Sequence, residues 1–143
     1  MNRPLGTVRI RHWLPGIVWG VAVYGFHKYG AIAGWYLAYP WFQNLTHAAS
    51  ASGVVVLLFL VGLEIGFRDR ELLYFVIGAT TAAAVGWEIV EYFGWMDQYG
   101  VYLMFHGFDD AAVDMVSNAV GTAAALAVLW WWAGRTYRLE SGT

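Results

Sequence analysis

Cysteine is absent from the 143-residue chain, and charged residues are scarce. Without cysteine there is neither a disulfide framework nor a thiolate metal site. Only 13% of the residues are charged, whereas roughly one-quarter is usual for soluble domains. Hydrophobic residues make up 59%, and the nine Trp and nine Tyr belong to types that favour the membrane–water interface. This composition is typical of an integral membrane protein.

Other absences exclude further classes of protein. The net charge of −2 gives no basic surface for nucleic acid. The basic N-terminus lacks a small-residue cleavage site after an apolar core, so we expect a retained cytoplasmic leader rather than a removed signal peptide. No G-x-S-x-G motif, cysteine nucleophile or Gly-rich phosphate loop is present. The length is sufficient for one compact domain.

The hydrophobic pattern predicts an all-α integral membrane bundle of four transmembrane helices, at about 14–39, 45–67, 71–94 and 110–133. The first is interrupted by polar residues, and we expect a break near Gly30. Asn44 or Thr46 is expected to cap the second helix, and Gly134 to stop the fourth.

The arginines predict the orientation of the bundle. With four spans, every arginine falls on one side of the membrane: Arg3, Arg9, Arg11, Arg68, Arg70, Arg135 and Arg138. Because cytoplasmic segments carry the excess of basic residues, we expect both termini in the cytoplasm. The protein is then a multi-pass protein of the cell membrane, in contact with membrane lipids.

Acidic residues are concentrated between positions 87 and 118. Five of the ten lie there: Glu88, Glu91, Asp109, Asp110 and Asp114. In the predicted topology they meet at one depth, near the outer leaflet, together with His47 and His106. Carboxylates within a membrane are costly and usually face the bundle interior, so this convergence indicates a functional site.

The spacing of these residues supports one shared site. Glu88 and Glu91 are three residues apart and therefore lie on one helix face. Asp110, Asp114 and Asn118 recur every fourth residue, and Gly121 continues the row, which gives a polar stripe about 12 Å long.

Each polar residue also has a simpler interpretation. The two glutamates could point to water at the interface, and either Asp109 or Asp110 could be a helix N-cap. Asn118 could hold helices together or act as a ligand. Lys28 could snorkel to the interface or be the buried counter-ion of the acidic residues, and we favour the counter-ion.

Histidine and carboxylate together suggest a metal site. The predicted ligands of a divalent cation are Glu88, Glu91, Asp110 and Asp114, with His47 or His106 completing the shell. Mn, Fe or Zn would suit a site with a histidine, whereas Mg or Ca would suit carboxylates alone.

The motifs W-E-I-V-E-Y-F and D-x-x-x-D-x-x-x-N-x-x-G resemble those of the YjdF-like group of small membrane proteins, and more distantly the VanZ-like group. The resemblance covers roughly residues 45–125. The residues that match the family motifs are Glu88, Glu91, Asp110, Asp114, Asn118 and Gly121. His47 is similar to a histidine that opens an earlier helix in those families. It implies a polar site at the outer leaflet, with a cell-envelope association for VanZ-like members, but no reaction.

Three functional classes follow from these observations. The first is a metal-dependent enzyme that acts on a lipid or an envelope-linked molecule. The second is an accessory or assembly subunit with a membrane-protein partner or a second copy of itself, and the third is an ion or small-solute carrier. The apolar stretches 54–61 and 123–132 disfavour a polar path through the membrane and favour a one-sided site. No residue is assigned a catalytic role.

Overall fold

A computed structural model describes residues 10–92 and 108–140, with side chains for residues 13–90 and 110–132. Within these ranges the chain forms five α-helices: α1 (Ile10–Ile32), α2 (Trp35–Ala38), α3 (Trp41–Glu64), α4 (Asp69–Tyr92) and α5 (Phe108–Glu140). The described part of the chain is all-α, as predicted.

Three of the described helices are long and apolar enough to cross a membrane: Trp41–Glu64, Asp69–Val90 and Asp110–Trp132. The N-terminal helix α1 is not among them, and its last turns contain His27 and Lys28. The described residues therefore provide three candidate spans where four were expected. The location of the termini stays a prediction.

The first predicted helix, at 14–39, is interrupted, but at Gly34 and not at Gly30. The chain turns at Gly34, whose φ of 73° lies in the left-handed region that glycine tolerates, and α2 follows. Gly30 does not break α1 but lies inside it. A β-carbon at Gly30 would overlap the ring of Phe42, which is fully buried, so this glycine makes room for an aromatic side chain.

The ends of the longer helices also differ from the prediction. The second predicted helix begins earlier, at Trp41 after Pro40, so neither Asn44 nor Thr46 is its cap. Its C-terminal end is closed by Gly66 (φ 95°) and by the Phe67 N–H, which donates to the Gly62 carbonyl at 2.9 Å.

The last helix continues through Gly134 to Glu140, so the predicted stop is wrong. One glycine costs a helix about 1 kcal/mol and does not have to end it. The same helix begins at Phe108, so Asp109 and Asp110 lie within its first turn and are not its N-cap.

Helix α3 is the centre of the bundle, because it contacts each of the other four described helices. Its backbone comes close to that of α5, where a β-carbon at Gly121 would lie 2.8 Å from the α-carbon of Ala48. Such an approach requires glycine and brings the start of α3 against the first turns of α5.

The bundle has an apolar end and a polar end. The buried apolar cluster lies toward the α3–α4 turn and consists of Val55, Leu72, Val76 and Ala125. Toward the other end the buried positions of α5 become polar, namely Ser117, Asn118 and Asp114. The polar groups are therefore concentrated where α3 begins and α4 ends.

Candidate metal centre

Three helices bring His47, Glu88 and Asp114 together. Each side chain offers one ligand atom, and these atoms lie within 4.8 Å of one another. His47 Nε2 is 3.4 Å from Asp114 Oδ2, and His47 Nδ1 is 3.8 Å from Glu88 Oε1. One imidazole thus lies between two carboxylates contributed by different helices.

The helix directions explain this meeting. His47 is in the second turn of α3, and Asp114 is in the second turn of α5. Glu88 is near the end of α4, in line with buried Leu72, Val76 and Thr80 at four-residue intervals. Because α4 runs to the end of the bundle at which α3 and α5 begin, the three side chains share one level.

Asp114 is the most enclosed member, with no exposed surface. Its Oδ2 accepts a hydrogen bond of 2.8 Å from Gln43 Nε2. The same nitrogen is 3.4 Å from both carboxylate oxygens of Asp110, one turn earlier on α5. A buried carboxylate needs hydrogen-bond donors or a counter-charge, and Gln43 is one such donor.

Asn118 lies one turn beyond Asp114 and is also buried. Its Nδ2 forms a hydrogen bond of 3.5 Å to His47 Nδ1. The predicted stripe of Asp110, Asp114 and Asn118 therefore faces α3, and all three side chains contact residues of that helix.

A hydrogen-bonded chain reaches the site from α1. His27 Nδ1 is bonded to the hydroxyl of Tyr36 on α2. The Tyr36 hydroxyl donates to Thr46 Oγ1 at 3.2 Å, and Thr46 in turn donates to the backbone carbonyl of Gln43 at 2.7 Å. Residue 43 is thus linked to Asp114 by its side chain and to α1 and α2 through its backbone.

The remaining predicted site residues are placed less closely. Lys28 is half-buried on α1, with its Nζ 5.4 Å from the centre of the Tyr24 ring. The backbones of Glu91 and Asp109 are helical, but their side chains lie outside the described residues, as does all of His106. Their predicted roles, and that of Lys28 as a counter-ion, stay predictions.

Sequence reasoning missed Gln43, Thr46 and Tyr36 as parts of this site. The second helix was predicted to begin at residue 45, which left Gln43 outside it. With the helix beginning at Trp41, Gln43 and His47 are four residues apart and share a face. This four-residue spacing is the sequence feature that could have identified Gln43 as part of the site.

A family model described as "Predicted membrane protein (DUF2238)" matches residues 7–135. This is the family of the YjdF-like group, so that resemblance is confirmed, whereas the comparisons do not show the VanZ-like one. No curated protein and no solved structure matches the chain. The match covers most of the chain and agrees with the apolar helices, so the chain belongs to the family of predicted membrane proteins described as DUF2238 and is a multi-pass membrane protein.

Proposed function

We propose that this protein binds one divalent cation through His47, Glu88 and Asp114. We further propose that it acts on a lipid or an envelope-linked molecule near the outer leaflet of the cell membrane. The observation that carries the proposal is the meeting of three ligand atoms from three helices within 4.8 Å. Two of them are carboxylates with little exposure, for which a cation would offset the loss of hydration.

The ligand types suit Mn, Fe or Zn. Imidazole favours these ions, whereas Mg and Ca prefer oxygen ligands alone. Three protein ligands would leave a position for water or substrate, as in catalytic zinc sites. A bound cation would supply Lewis-acid chemistry toward a phosphate or carbonyl group of a headgroup. Gln43 would orient the Asp114 ligand.

A one-sided location supports an enzyme over a carrier. The ligands lie at the polar end of the bundle, and the other end is filled by the apolar cluster around Val55 and Val76. The arginine distribution supports the prediction that the polar end is the outer one. A carrier would need polar groups that continue to the opposite side.

An accessory subunit is the second candidate, and the position of His47 favours it. The His47 imidazole lies within 4 Å of both carboxylates and could hold them in a hydrogen-bonded network without a metal ion. The three residues would then hold α3, α4 and α5 together, and the protein would serve as a partner in a membrane complex.

Metal analysis of the purified protein separates the two candidates. We expect about one Mn, Fe or Zn per chain, and a lower melting temperature after chelation, because a ligand at 100 times its Kd stabilises by about 2.7 kcal/mol. Glu88→Gln and Asp114→Asn should each lose the metal and the chelator effect.

Glu71→Gln is the matched control, since Glu71 is exposed at the start of the same helix as Glu88. It should behave as wild type. If wild-type protein carries no stoichiometric metal and chelator leaves its melting unchanged, the cation proposal is wrong and the accessory function leads.

A further inference from the structure

One amide nitrogen contacts two carboxylates at the edge of the site. Gln43 Nε2 lies 2.8 Å from Asp114 Oδ2 and 3.4 Å from each oxygen of Asp110. The two aspartates are four residues apart on α5, so both side chains point to the same face of that helix. The amide reaches them from α3.

The Gln43 amide is a hydrogen-bond donor, and the carboxylates of Asp110 and Asp114 are acceptors. Ionised carboxylates only accept hydrogen bonds, whereas the Gln43 amide nitrogen carries two N–H donors. Two neighbouring carboxylates on one helix face repel each other, and their oxygens are suitable ligands for a cation bound between them. The nitrogen of Gln43 lies within contact distance of both, in the position that such a cation would take.

We propose that Gln43 is a positioning residue that fills the gap between Asp110 and Asp114 in place of a cation. A cation is then directed to the part of Asp114 that faces His47 and Glu88. This second step rests on the proposed function, whereas the blocking of the aspartate pair does not.

The test is the number of Mn²⁺ ions bound per chain, measured in detergent from the loss of the sharp paramagnetic resonance signal of aqueous Mn²⁺. Wild type should bind about one. Gln43→Glu removes the donors and adds a third carboxylate that can ligate a cation, so this variant should bind about two. Adding Asp110→Asn should return the count to about one.

Gln43→Met provides a second measurement that does not require an added charge. It keeps the side-chain length and removes the donor to Asp114. Loss of a group that orients a metal ligand typically weakens binding about 10–100-fold, and we expect a loss of that size. Asn44→Leu is the matched control, because it removes the adjacent amide, about 100° around α3, and should keep wild-type affinity.

The proposal is overturned if Gln43→Glu binds no more Mn²⁺ than wild type, or if the additional ion persists in the double variant. If wild type binds Mn²⁺ and Gln43→Met binds it as tightly, the second step is wrong and Gln43 does not position the Asp114 ligand. Should wild type bind none while Gln43→Glu binds one that Asp110→Asn removes, the blocking role of Gln43 stands and the proposed cation at His47 does not.

Discussion

The backbones of Gly121 and Ala48 touch, since a β-carbon on Gly121 would lie 2.7 Å from the carbonyl carbon of Ala48. Neither backbone can rotate away as a side chain can. His47 precedes this contact on α3, and Asn118 lies one turn before it on α5. The contact therefore sets how closely the imidazole approaches the polar stripe.

Gly121→Ala should destabilise the protein by about 1–3 kcal/mol, because the added methyl group forces α3 and α5 apart. Thermal unfolding in detergent measures the loss. Gly78→Ala and Gly86→Ala are matched controls within α4, where a β-carbon meets nothing within 4 Å. They should be neutral or stabilising by up to about 1 kcal/mol. Wild-type stability for Gly121→Ala would contradict the close approach.

Tyr36→Phe tests the hydrogen-bonded chain that joins α1 and α2 to α3. The substitution removes the bonds to His27 and Thr46 but keeps the ring against Phe42. Each hydrogen bond contributes about 0.5–1.5 kcal/mol, so we expect a loss of about 1–3 kcal/mol in thermal unfolding.

Tyr29→Phe is the control for that experiment. Tyr29 is 60% exposed, and its ring packs edge-on against Trp35, which the variant preserves. A change within about 0.5 kcal/mol is expected for an exposed position. Equal losses for the two variants would show that the Tyr36 hydroxyl does not link the helices.

The helical class and the level of the polar residues could be predicted from the sequence, because both depend on periodicity. Apolar runs long enough to span a membrane identify α3, α4 and α5, and the four-residue spacing of Asp110, Asp114 and Asn118 assigns them to one face. Because successive spans alternate in direction, the predicted topology placed Glu88 and His47 at the same depth as Asp114. In the structure both side chains lie close to Asp114.

The helix ends could not be predicted, because they depend on tertiary contacts. Glycine often marks a helix break, but Gly30 lies inside α1 and makes room for the Phe42 ring. The sequence pattern does not reveal such a tertiary contact. The early start of α3 follows Pro40 and makes Gln43 part of the site. Because the predicted helix began one turn too late, Gln43 was not identified, although it contacts two of the predicted ligands.

The orientation of the bundle can be tested by labelling, since the chain has no cysteine of its own. If all seven arginines face the cytoplasm, the connection between α4 and α5 faces outward. A single cysteine at Gly100, within that connection and outside the described residues, should react with a membrane-impermeant maleimide in intact cells.

A cysteine at Glu71 gives the opposite expectation. This exposed residue opens α4 next to Arg68 and Arg70, so it should react only after the membrane is permeabilised. Because the site lies where α4 ends, the same pair of variants decides which side of the membrane His47, Glu88 and Asp114 are near. Labelling of Glu71→Cys but not of Gly100→Cys in intact cells would reverse the orientation and exclude a substrate at the outer leaflet.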